Sequence, residues 1–131
     1  MKICVITGNR AEYGLLKRLI QLILNDKFLE LLLIVTGDHL NDINGTIKEI
    51  ENDNLKIDAK IQCSPSQDSP LEILTAMGSA TIELAKFLDF KKPDCIFILG
   101  DRYEMLVVAY NAHIFKIPLL HISGGEITEG S

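Results

Sequence analysis

The stretch KICVITGNRAEYGLLKRLIQLIL, Lys2 to Leu24, decides the fold. Its opening run, Lys2 to Thr7, is apolar and β-branched and stops at Gly8, which suits a strand covered on both faces, as in a parallel sheet. From about Ala11 the period changes: Leu15, Leu16, Leu19, Ile20, Leu22 and Ile23 make a broad apolar face at helical spacing. Asn9, with Glu12 three positions later, reads as a capping box that starts this helix. A strand, a glycine turn and a capped helix form one βα unit.

The same unit recurs outward along the chain. Glu30 to Thr36 (ELLLIVT), ended by Gly37, is a second buried strand, and Lys56 to Gln62 alternates Ile57, Ala59 and Ile61 with polar neighbours as a weaker, peripheral one. Cys95 to Leu99 (CIFIL) and Leu119 to Ile122 (LLHI) complete the set of strands. Between them, Leu74, Met77, Thr81, Leu84 and Leu88, and then Tyr103, Leu106, Val107, Tyr110 and Ile114, recur at helical spacing. Thr46 with Glu49, Ser69 with Glu72 and Asp101 with Glu104 repeat the capping box, and Pro70 adds a first-turn proline. Repeated βα units with right-handed crossovers predict an α/β domain, a Rossmann-like doubly wound parallel sheet with helices on both faces. Cys63 to Ser69 (CSPSQDS) reads as a connector within this domain, and there is no internal repeat or low-complexity linker.

Composition bounds what such a domain does. The 131 residues, 47% of them hydrophobic, suffice for a core that buries roughly two thirds of the unfolded chain's surface, and a net charge of -5 with that apolar content excludes disorder. The longest apolar run, Met105 to Tyr110, falls far short of the roughly 20 residues that span a bilayer. The first residues lack the apolar segment of a signal peptide. The expectation is a cytoplasmic protein with no membrane partner. Net acidity argues against a nucleic-acid partner. Cys4, Cys63 and Cys95 are odd in number and widely spaced, with no zinc or dithiol pattern, so no metal is expected, and Cys4 and Cys95 read as small core hydrophobes.

In an open parallel sheet, ligands bind beyond the carboxyl ends of the strands. Here those positions hold Gly8-Asn9-Arg10, Gly37-Asp38-His39, Gly100-Asp101-Arg102 and Ser123-Gly124-Gly125-Glu126. Arg10 and Arg102, each in a first helical turn, oppose the helix dipole, which is understandable if an anion binds in front of them; otherwise they are solvated surface residues. Only Gly8 and Gly14 occur in the first turn region, so the dinucleotide fingerprint is absent, as is the P-loop. Asp101 and Glu126 follow neighbouring strands and would share one crevice as an acid pair suited to proton transfer, although Asp101 is equally explained as a helix cap and Ser123 could cap a helix with Glu126. Of the histidines, His39 at a strand end is the site candidate. His113, among apolar helix residues, and His121, within a strand, read as structural.

Together, ITGNRAEYGLL (Ile6 to Leu16), VTGDHL (Val35 to Leu40), ILGDRYE (Ile98 to Glu104) and HISGGEITEG (His121 to Gly130) resemble the hydrolysing UDP-N-acetylglucosamine 2-epimerases, in particular the branch that feeds sialic and legionaminic acid synthesis. The resemblance runs the whole chain in order. It implies the N-terminal half of a GT-B-type architecture, with a UDP-sugar between two Rossmann-like domains and no cofactor. It further implies anti elimination of UDP to a 2-acetamidoglucal and hydration to the free 2-epimer, of N-acetylmannosamine type. Carried over, Arg10 and Arg102 would meet the diphosphate or neighbouring groups, and Asp101 and Glu126 would be the catalytic acids. Gly14 falls where some members carry a Ser that helps bind UDP, leaving only backbone to contribute there; His39 joins the substrate-binding set as a strand-end residue.

Members of this family continue beyond the Thr-Glu-Gly segment into a further acid, an Arg-His pair and a whole second domain. The expectation is therefore that residues 1–131 form an incomplete N-terminal Rossmann-like domain without the C-terminal nucleotide-binding domain, inactive alone, with the full-length enzyme a homo-oligomer. Exposed apolar surface where the second domain docks would favour association of the fragment. The substrate is left open between UDP-N-acetylglucosamine and UDP-N,N'-diacetylbacillosamine. Two other readings stand beside this one, a GT-B glycosyltransferase and a non-catalytic flavodoxin-like binding or regulatory module.

Overall fold

In the computed structural model, residues 1–37, 40, 46–63, 67–100 and 102–122 are described, with Arg10 and Thr46 described by their backbone alone. The elements are β1 (Lys2–Thr7), α1 (Arg10–Leu24), β2 (Glu30–Thr36), α2 (Thr46–Asn52), β3 (Ala59–Ile61), α3 (Pro70–Lys91), β4 (Cys95–Leu99), α4 (Tyr103–Phe115) and β5 (Leu119–Ile122). The strands pair in the order β3-β2-β1-β4-β5, every pairing parallel. The order reverses between β1 and β4, so the topological switch point of this Rossmann-like sheet lies beside the turns that follow those two strands.

Strand alternation divides the core. Cys4, Ile6, Leu32, Ile34, Ile96 and Ile98 face one side of the sheet, where Met77, Ala80, Leu84 and Leu88 of α3 and Val107, Val108 and Ala112 of α4 cover them. Their neighbours Ile3, Val5, Leu33, Val35, Cys95 and Leu99 face the other, against Tyr13, Leu16, Ile20 and Ile23 of α1 and Ile50 of α2. The continuous apolar runs of the sequence are thus two interleaved half-sets, each with its own helical layer. All the cysteines are free and buried, Cys63 included, and burial pushes the Cys63 thiol up to about 11.

Several elements differ from the sequence expectation for identifiable reasons. β3 begins at Ala59 because the Asp58 carboxylate accepts the Leu33 N–H at 2.8 Å while the Asp58 N–H donates to the Leu33 carbonyl at 2.8 Å, so a side chain substitutes for the ladder at that end. The apolar faces of the helices are narrower than their hydrophobic residues suggested. Leu15 and Leu22 of α1, Leu74 of α3, and Leu106, Tyr110 and Ile114 of α4 are exposed, while Ala80, Met105, Val108 and Ala112 take core positions. Helix α4 is apolar on every side, so periodicity alone could not say which face meets the sheet. Its outer face is tied to α3 by a hydrogen bond between the Thr81 and Tyr110 hydroxyls.

His113 and His121 are exposed, not core residues. His113 falls in the last turn of α4, where a basic side chain suits the helix dipole. His121 lies on the edge strand β5, with its ring nitrogen hydrogen-bonded to the Gly100 carbonyl, tying the sheet edge to the turn after β4.

Candidate active site

Two turns meet at the switch point. After β1, Asn9 takes an extended conformation and its Oδ1 accepts the Glu12 N–H at 2.9 Å, the cap expected from the sequence. The return half of the box is displaced by one residue: Glu12 Oε1 accepts the Gly8 N–H at 2.9 Å, and Oε2 accepts the Asn9 side-chain amide at 3.1 Å. This draws the Glu12 carboxylate under the turn, where it is 6% exposed.

The turn after β4 departs further from expectation. The N-cap of α4 is Arg102, with φ −69° and ψ 167° and no cap hydrogen bond from its own side chain; Asp101, expected to cap with Glu104, lies outside the described residues. Arg102 stands just outside the helix instead of in its first turn, and Glu104, at the second helical position, turns inward and is 2% exposed. Its Oε1 lies 3.6 Å from Arg102 Nε. The Arg102 guanidinium also lies over the Tyr103 ring, 5.6 Å from its centroid, and keeps an exposed side. In α2, Thr46 is likewise the first helical residue and not a residue preceding the helix.

Glu12 and Glu104 thus bring two carboxylates to one point. A Cβ placed on Gly8 would lie 3.1 Å from Glu12 Oε1 and 3.2 Å from Glu104 Oε1. Gly37, after β2, has φ +62°, and a Cβ there would stand 2.7 Å from the Gly8 carbonyl oxygen and 3.0 Å from Glu104 Oε1. Gly100 has φ +93°, and its Cβ would meet Glu12 Oε2 at 2.8 Å. Backbone conformation and space both demand glycine at positions 37 and 100. Burial is the main cause that holds the Glu12 carboxyl above its ordinary range; Glu104 adds to this, while the Gly8 N–H, Arg102 and Asn9 oppose it. Tyr103 is raised by burial first and by Glu104 second.

Of the residues expected at the site from the sequence, Arg10 is the first residue of α1, at the carboxyl end of β1, and Arg102 is placed across the switch point from it. Gly14 lies within α1, exposed, with nothing within 4 Å of where its Cβ would be. Asp101, Glu126 and His39 lie outside the described residues, although β4 and β5, which precede the two acids, are adjacent and parallel. Sequence reasoning treated Glu12 and Glu104 as caps and missed them as buried acids. The available signal was their spacing: each acid stands four residues after the glycine that ends a buried strand, Gly8 and Gly100. Among the described residues no group of His, Cys, Asp and Glu is arranged to hold a metal ion.

This architecture is shared with known proteins. The family described as UDP-N-acetylglucosamine 2-epimerase matches residues 22–131. The chain belongs to this family. An epimerase relative from Campylobacter jejuni, named GDP/UDP-N,N'-diacetylbacillosamine 2-epimerase (hydrolyzing), is 43% identical over 131 residues, covering 99% of this chain and 34% of the relative. The crystal structure of UDP-GlcNAc 2-epimerase from Neisseria meningitidis bound to UDP-GlcNAc superposes with a TM-score of 0.80 at 23% identity, covering 99% of this chain and 34% of that one. The epimerase of Methanocaldococcus jannaschii in complex with UDP-GlcNAc and UDP gives a TM-score of 0.75 at 26% identity, covering 92% and 32%. The chain therefore spans about a third of the length of the epimerases it matches. No helix among the described residues is long and apolar enough to cross a membrane.

Proposed function

We propose that this chain is the N-terminal domain of a hydrolysing UDP-2-acetamido-sugar 2-epimerase and supplies one wall of the substrate cleft. The observation that carries the reading is the 43% identity to a hydrolysing 2-epimerase along 99% of the chain, on a fold whose switch point gathers the turns bearing Arg10 and Arg102. In this reading the N-terminus of α1, with Arg10 and Arg102, receives the diphosphate. A carboxylate from Asp101 or Glu126 takes the C2 proton as the C1–O bond breaks, and UDP leaves with the glycosidic oxygen. The resulting 2-acetamidoglucal gains hydroxyl at C1 from water and a proton at C2 on the opposite face, giving the free 2-epimer. Arginine stabilises the departing charge. Gly14 and His39 complete the substrate-binding set.

The name of the Campylobacter relative favours UDP-N,N'-diacetylbacillosamine as the substrate, with UDP-N-acetylglucosamine second. The completed enzyme is proposed to be a cytoplasmic homo-oligomer acting in nonulosonic (sialic or legionaminic) acid synthesis, and residues 1–131 alone to be inactive for want of the second cleft wall. The test is turnover of each UDP-sugar by the full-length protein in deuterated water, followed by proton NMR. Release of UDP and a free 2-epimer deuterated at C2 is expected. Transfer of the intact sugar to an acceptor without exchange at C2 would instead establish a glycosyltransferase.

A further inference from the structure

Gly100, the first residue of the turn between β4 and α4, is gripped from two sides. On the side of α1, a Cβ at Gly100 would lie 2.8 Å from Glu12 Oε2, so the backbone there rests against a carboxylate that the Gly8 N–H and the Asn9 amide hold in place. On the side of β5, the His121 ring is hydrogen-bonded to the Gly100 carbonyl. The paired register of β4 and β5 ends with Leu99 opposite Ile122, so that carbonyl lies one residue beyond the ladder and a side chain takes it up. His121 is itself paired with Ile98, and its ring therefore reaches from there toward the carboxyl edge. A carbonyl oxygen only accepts, so His121 Nε2 carries the hydrogen and donates, in the neutral Nε2–H tautomer and in the imidazolium alike. Packing does not explain an imidazole at this position, because the residue is exposed on a strand whose other members are Leu119, Leu120 and Ile122.

We propose that His121 is a positioning residue, whose ring holds the turn between β4 and α4 against Glu12 and so sets the placement of what that turn contributes to the reaction. This rests on the epimerase reading, in which Asp101 and Arg102, the two residues that follow Gly100, have roles. Gly100 has φ +93°, in a region where a residue without Cβ is free to move, so its own conformational preference does little to fix the turn. The peptide group is planar, and anchoring the Gly100 oxygen therefore fixes the whole peptide unit that leaves Gly100 toward α4. Glu12 limits the turn on one side and His121 on the other. Proton transfer depends steeply on placement, since a shift of about 1 Å can cost on the order of a hundredfold in rate. Contact between a long arginine side chain and a diphosphate is more tolerant of the same shift. Loss of the His121 tie is thus expected in kcat more than in KM.

The test compares full-length wild type with His121→Leu and His121→Gln in two measurements, turnover of a UDP-2-acetamido sugar and amide hydrogen exchange in the segment that follows β4. Leucine fills the space without a donor, whereas glutamine keeps an N–H donor of similar reach but cannot relay a proton. His121→Leu is expected to lower kcat about tenfold with a smaller change in KM, and to speed exchange in that segment about tenfold, the size of one hydrogen bond. His121→Gln should recover most of both. Wild-type kcat or unchanged exchange in His121→Leu would overturn the proposal. So would a glutamine variant that restores exchange but not turnover, since the ring would then be moving a proton and not holding a turn. If His121→Leu does not fold, His121→Asn, whose amide is too short to reach Gly100, takes its place with the same expected losses. A wild type that turns over no UDP-2-acetamido sugar refutes the epimerase reading; the exchange series then decides by itself whether His121 holds the turn.

Discussion

The two edges of the sheet are built on opposite principles. At the amino edge the chain closes ordinary valences with ordinary groups: Asp94 accepts the Lys2 N–H at 2.7 Å and returns its own N–H to the Lys2 carbonyl at 2.8 Å. Helices α3 and α4 end there in left-handed caps at Lys92 and Lys116, followed closely by Pro93 and Pro118. At the carboxyl edge, Gly37 and Gly100 take positive φ where a Cβ would meet the buried Glu104 and Glu12 carboxylates, and the Arg102 side chain does not cap α4. The first edge is arranged for stability. The second accepts like-charge proximity in turns whose positive φ and close contacts admit only glycine.

Substitutions can test that contrast in order of effect. The largest belongs to Gly37→Ala. Positive φ and a contact of 2.7 Å with the Gly8 carbonyl together should cost about 3 kcal/mol in urea unfolding, and a loss under 1 kcal/mol would show that the carboxyl edge is more yielding than its geometry implies. On the amino edge, Asp94→Ala removes one acceptor from an exposed N–H and should cost about 1 kcal/mol. A cost matching Gly37→Ala would erase the distinction between the edges.

Glu12→Gln should raise stability, in a pH-dependent way. Because the folded state holds the Glu12 proton more tightly than the unfolded chain, wild-type stability falls as pH rises from the ordinary carboxylate range through the raised value. The glutamine variant lacks that loss. Its advantage in unfolding midpoint should therefore be greatest at pH 8 and shrink toward pH 4. An advantage that instead grows on acidification would reverse the assignment of Glu12 as an acid disfavoured in its charged form. The smallest effect belongs to Gly14→Ala, in a helix with open space around the new methyl group, which should gain about 0.5 kcal/mol. A loss there would mean that position 14 is confined by more than its own helix.

Much of the fold was legible because buried parallel strands and capped helices leave local marks. KICVIT, ELLLIVT and CIFIL carry continuous apolar character, and Asn9 and Ser69 cap as their spacing predicts. The rule for strand ends pointed to the turns after β1 and β4, and the topological switch point falls between those two strands. Other features were not legible. The spacing of Glu104 after Gly100 did not by itself show that Glu104 is buried, because its burial comes from packing beside Gly8 and Gly37 across the sheet. His121 sits in an apolar run and is nevertheless exposed, because β5 forms an edge of the described sheet. In α4, apolar on all sides, only the packing of α3 and the sheet selects Val108 and Ala112 over Leu106 and Ile114 as core.

By itself, then, the sequence determined the order of strands and helices, the parallel class of the sheet and the turns that carry the candidate chemistry. The elements and turns follow from residues within a few positions of one another, and the parallel class from the alternation of strands with crossover helices. Tertiary structure alone decided that Glu12 and Glu104, ninety-odd residues apart in the chain, become one buried carboxylate pair. Long-range pairing of β1 with β4 sets that proximity, and the electrostatic cost of the pair arises only once the turns close over it and exclude water.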